Sequence, residues 1–75
     1  MNSAGTITQA VAGLVSDAMD EAGVSQLRLA DESGIPRPTL IRRLKGQSPF
    51  KVDELEAIAS VLGCSVTSLI PKEVA

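Results

Sequence analysis

Apolar residues recur at helical spacing along the first third of the chain. Ile7, Val11, Leu14, Val15, Ala18 and Ala22 fall on one face, and Asp17, Asp20 and Glu21 lie mostly off it. Thr6 followed by Gln9 has the spacing of a capping box, and Gly23 stops the run. A first helix is predicted between them. A shorter apolar set, Leu27, Leu29 and Ala30, follows Ser25, a good N-cap residue, and ends before Gly34, which supplies the positive φ of a short turn. Ile35 is expected to tuck into the core after that turn. Proline is tolerated only in the first turn of a helix, so helix three starts at Pro36 or Pro38, runs to about Lys45 and ends at Gly46.

The remaining pattern predicts a loop over residues 47–51 with Phe50 packed down as a plug, then a fourth helix from about Val52 to Leu62. Leu55, Ile58, Ala59 and Leu62 recur in that helix at helical spacing before Gly63. Ser65 is expected to cap a short fifth helix, Val66 to Ile70, ended by Pro71, and the last five residues are expected to be loose. A chain of 75 residues holds one core, so residues 1–75 form a single domain with its core over about residues 6–70. Phe50 is the only aromatic residue in a composition that is 44% hydrophobic, which makes that core aliphatic and favours an all-α bundle over a sheet.

The chemistry available is narrow. With no histidine and a single cysteine, Cys64, the chain offers neither a zinc-ligand set nor a base to activate a thiol, and Cys64 is expected to pack as a small apolar residue. No glycine-rich phosphate loop or carboxylate pair in an apolar setting is present, so an enzyme is not expected, and no cofactor or small-molecule ligand is implied. There is no apolar run of membrane-spanning length and no signal-peptide pattern, which gives a cytoplasmic protein as the expectation. Carboxylates on the first helix argue against anionic lipid as its partner.

Charge changes the picture more. The net charge of −2 hides a basic middle: residues 28–51 carry six cations (Arg28, Arg37, Arg42, Arg43, Lys45, Lys51) and two anions (Asp31, Glu32). That segment is at +4 between ends of −3 each. Phosphate binding responds to local potential, so the middle suits nucleic acid and the acidic ends lower its non-specific affinity.

The cations coincide with a recognisable spacing. Gln26 opens helix two, Ala30 sits where two helices must approach closely, Gly34 lies four residues later at the turn, and Leu40 points back into the core. This pattern resembles the lambda-repressor and Cro-like (XRE-type) helix-turn-helix family over about Val24 to Ile70. The stretch GIPRPTLIRRLKGQSPFKVDEL looks most like small regulators of actinobacteria and their phages. The resemblance implies a compact five-helix all-α domain whose third helix, residues 36–45, enters the major groove of double-stranded DNA.

On a helical wheel Leu40 and Leu44 fall together with Ile41 at their flank, and Pro38, Thr39, Arg42 and Lys45 lie opposite. Arg42 is the first candidate to read a base, since a guanidinium matches the O6 and N7 acceptors of guanine; Arg37, at the helix start, is the second. Thr39 suits a thymine methyl or a phosphate, and Pro38 completes the base-facing set. Arg43 and Lys45 are expected to hold phosphates, as by resemblance is Gln26 at the N-terminus of helix two. Arg28, Gln47 and Lys51 complete the backbone contacts.

Two departures stand out. Ser33 and Arg43 occupy positions where the family commonly has apolar side chains, and the second leaves the choice between Arg42 and Arg43 as base reader open. The function implied is a sequence-specific transcriptional regulator, a Cro-like or immunity-type repressor that occupies an operator. In a phage this would act in the host cytoplasm, at the nucleoid. A protein-interaction module (antirepressor or host-factor binder) or an excisionase-type architectural protein are the alternatives on the same fold. Two copies are expected on DNA, since one small domain buries little surface. Val66, Leu69, Ile70 and Val74 offer apolar surface for that contact, or the first three complete the core against helix one.

Overall fold

The computed structural model describes residues 3–72, with side chains from Ile7 onward. The chain forms α1 (Ser3–Ala22), α2 (Gln26–Ser33), α3 (Arg37–Leu44), α4 (Val52–Leu62) and a 3-10 turn (Val66–Leu69). At 1.5 Å per residue α1 is about 30 Å long, close to the longest dimension of the molecule, 35 Å. It packs against α3, α4 and the 3-10 turn, and α2 packs against α3 and α4.

The core is aliphatic and lies where these elements meet. Val15, Leu29, Leu40, Ile58 and Leu69 are fully buried, one from each element. Burial of such side chains stabilises a domain by roughly 1.5–3 kcal/mol each. Val11, Met19, Val24, Ile35 and Leu55 surround them, and Phe50 packs on the outside of the cluster as a plug.

Several expectations need correction. α1 starts ahead of Thr6, which lies inside it, because the residues before it, Gly5 included, raise the helix free energy by no more than about 1 kcal/mol each. The buried face of α1 is Val11, Val15 and Met19, at four-residue intervals, together with Ala12, and Ala22 is exposed. The chain turns at Gly23, and Val24, whose N–H donates to the Met19 carbonyl at 3.0 Å, fills the place beyond Met19. Leu27 is 60% exposed, because the inward face of α2 is taken by Leu29 and Ala30.

The fifth helix is a single 3-10 turn, so the described residues hold four α-helices. Pro71 drives Ile70 into extended backbone (φ −118°, ψ 132°), leaving room for only i→i+3 closure, with the Ser68 N–H on the Ser65 carbonyl at 3.1 Å. Ser65 caps nothing with its side chain, which instead meets the Thr67 hydroxyl at 3.0 Å. Leu69 is fully buried, with Val66 and Ile70 packed beside it, so these residues complete the core. Val74 and most of the segment expected to be loose fall outside the described residues.

Candidate nucleic-acid interface

The site is built on α2, the turn and α3. Ser25 caps α2, its Oγ accepting the Arg28 N–H at 3.1 Å, which leaves Gln26 exposed at the helix start. α2 ends at Gly34, whose φ of 79° lets its N–H reach back to the Ala30 carbonyl at 3.1 Å. Ser33 explains itself here: its Oγ accepts the Ile35 N–H at 3.3 Å, so a hydroxyl at this position ties the turn where an apolar side chain would pack. Ile35 is buried and fixes the distance between the helices.

Pro36 then opens α3 with φ −55° and ψ 137°, its carbonyl accepting the Leu40 N–H at 2.9 Å. Pro38 stands in the first turn, where its missing N–H leaves no bond unmade. Leu40 anchors the helix in the core, with Thr39, Ile41 and Leu44 half-buried. Arg37, Pro38, Arg42 and Lys45 are exposed. Pro38, Arg42 and Lys45 form one outward band by helical spacing, with Arg37 beginning the helix at its flank. Among the described residues no carboxylate lies within 4 Å of the cations of Arg37, Arg42, Lys45 or Lys51.

Arg28 and Arg43 differ from that set. Arg28 is exposed but its Nε lies 2.8 Å from Glu32 Oε2, one turn along α2. Arg43 turns inward: its side chain is 14% exposed, its Nη1 donates to Ser48 Oγ at 3.1 Å and to the Pro49 carbonyl at 2.9 Å, and its Nε lies 2.8 Å from Glu54 Oε1. The Nε–H points off the line to that oxygen, so the contact is an ion pair without a hydrogen bond at Nε. The sequence puts Arg43 among the phosphate contacts and Arg42 first as base reader, with the choice between the two open. The structure engages its guanidinium inside the fold and directs Arg42 outward. Glu54 was missed; its signal was a carboxylate at the third position of α4 together with an arginine at an otherwise apolar position of α3.

The loop after α3 starts with Gly46 at φ 75°, its N–H on the Arg43 carbonyl at 3.0 Å, and the Gln47 N–H on the Arg42 carbonyl at 3.1 Å. Gln47 and Lys51 are exposed at its two ends. The Lys51 N–H is accepted by Glu54 Oε1 at 2.8 Å, a capping contact that opens α4.

The model of a family described as helix-turn-helix matches residues 15–69. The chain belongs to the lambda-repressor-like helix-turn-helix family. This match takes in the last eight residues of α1 and every later element, so most of the core and the basic surface of this helix-turn-helix protein fall within it. The family is one of DNA-binding regulators. No curated protein matches the chain. Among the described residues, no helix of this helix-turn-helix protein is long and apolar enough to cross a membrane.

Proposed function

We propose that the protein is a sequence-specific transcriptional regulator, Cro-like in its economy, that lays α3 in the major groove and represses by occupying an operator. The observation that carries this reading is the outward display of Arg37 and Arg42, with no carboxylate partner among the described residues, on a helix whose opposite face is anchored by fully buried Leu40. An arginine held on a rigid helix reaches paired acceptors on guanine without first giving up a carboxylate partner. Arg42 is the principal base reader and Arg37 the second, with Pro38 and the half-buried Thr39 shaping the contact between them. Gln26, Lys45, Gln47 and Lys51 hold phosphates on either side, and Arg28 joins them only by leaving Glu32. Two copies bind together on half-sites about one helical turn apart.

The test is enrichment of a random duplex pool on the purified protein, followed by titration of the enriched and a scrambled duplex at several salt concentrations. Arg42→Ala is expected to weaken the enriched duplex roughly ten- to a hundredfold and to relax selectivity at one base position. A chain that enriches no sequence, or an Arg37→Glu, Arg42→Glu variant that binds as the parent does, removes the reading and leaves a protein-interaction module.

A further inference from the structure

We infer that Arg43 and Glu54 are a positioning pair that fixes the loop between α3 and α4 against the recognition helix, and so sets where Gln47 and Lys51 meet the DNA backbone relative to Arg42. The inference rests on the DNA-binding reading above and concerns residues that touch no DNA.

One guanidinium spans the loop. Its Nη1 holds Ser48 and the Pro49 carbonyl, its Nε faces Glu54, and the same Glu54 oxygen accepts the backbone N–H of Lys51. The other end of the loop is tied to α3 directly, through the Gln47 N–H on the Arg42 carbonyl. Both phosphate-facing residues of the loop are thus pinned by their backbone while their side chains stay exposed.

A leucine at position 43 would fill the space without desolvating a charge. Replacing a buried ion pair by apolar side chains is often neutral or stabilising, so stability alone gives no reason for the pair. What arginine adds is direction: a planar fork whose bonds are met in one loop geometry only. Arg43 and Glu54 are both mostly buried, at 14% and 16% side-chain exposure. The charge of Arg43 is therefore answered inside the protein, and its removal leaves the number of counterions released on binding DNA unchanged.

That separates positioning from contact. In Arg43→Met the ratio of affinities for enriched and scrambled duplex is expected to fall about tenfold, the scale of one lost charged hydrogen-bond set. The slope of log K against log salt keeps its parent value, whereas a lost phosphate contact would flatten it by about 0.9. Glu54→Gln, which keeps an oxygen for the Lys51 N–H, moves the ratio the same way by a smaller factor, and Arg43→Lys keeps the parent slope and restores only part of the ratio.

Amide hydrogen exchange supplies a readout without DNA. The Lys51 amide in Arg43→Met exchanges at least about ten times faster while the amides of Leu29 and Ile58 keep their protection. A flattened slope, an unchanged affinity ratio, or an unchanged Lys51 amide in Arg43→Met overturns the inference, and Glu54→Gln decides the same question should Arg43→Met not fold. A parent chain that enriches no sequence but loses Lys51 protection in Arg43→Met overturns the DNA-binding reading and, with it, the role at DNA, leaving a tie in the fold alone.

Discussion

Arg42 and Arg43 are neighbours in sequence and about 100° apart around α3, and that angle separates two roles. Arg42 is exposed and, among the described residues, without a carboxylate partner, and Arg43 is mostly buried against Ser48, Pro49 and Glu54. Arg42→Ala is therefore expected to leave the thermal midpoint within about 4 °C of the parent, since exposed substitutions stay within roughly 0.5 kcal/mol. The same variant loses DNA affinity, and a shifted midpoint would mean that Arg42 packs. The same contrast holds on α2. Leu27 is 60% exposed and Leu29 fully buried, so Leu27→Gln should melt like the parent while Leu29→Ala loses about 2–5 kcal/mol in denaturant unfolding. The sequence pattern alone treated the two leucines alike, because a helix of eight residues has too few positions to fix the phase of its apolar face.

At the scale of elements, the turn between α2 and α3 was the most legible part, since its chemistry is local. Ser25, Gly34 and Pro36 each act on their own backbone or within one turn of it, and the structure uses them as cap, left-handed hinge and helix start. Among the described residues, nothing lies within 4 Å of where a Cβ on Gly34 would stand. Gly34→Ala is thus expected to destabilise by the left-handed backbone penalty alone, about 1–2 kcal/mol. Ser25→Ala should lose about 1 kcal/mol through its cap. The two measured by urea unfolding should add to roughly 2–3 kcal/mol, and a much larger sum would mean that the turn couples to the core. The limits of α4, Val52 to Leu62, were equally readable from its apolar spacing and from Gly63, which ends it at φ 72°. What escaped the sequence were features set by distant partners. The 3-10 turn follows from fitting Leu69 into a core shared with α1 and α4 ahead of Pro71, and the inward turn of Arg43 depends on a glutamate eleven residues away.

For the whole molecule, the distribution of charge decides more than its sum. The net charge is −2, yet the cations with no carboxylate within 4 Å among the described residues include Arg37, Arg42, Lys45 and Lys51, all on α3 or at the ends of the loop that follows it. Arg28 and Arg43 sit in the same stretch of sequence but are answered by Glu32 and Glu54. Counterion release gives a slope of about −0.9 per neutralised phosphate, so one copy with four such cations on the backbone reaches at most about −3.6, and two copies about −7. If Arg37 and Arg42 lie on base edges, the remaining lysines alone give roughly −2 for one copy and −4 for two. Lys45→Gln resolves the overlap between these cases: it flattens the slope by about 0.9 for one bound copy and by about 1.8 for two. The parent slope and its change in Lys45→Gln, measured by anisotropy on the same enriched duplex, therefore fix the number of copies and the number of phosphate contacts together. A slope shallower than about −1 would place the basic surface away from the backbone, and a Lys45→Gln slope equal to the parent's would remove Lys45 from the interface while leaving α3 in the groove.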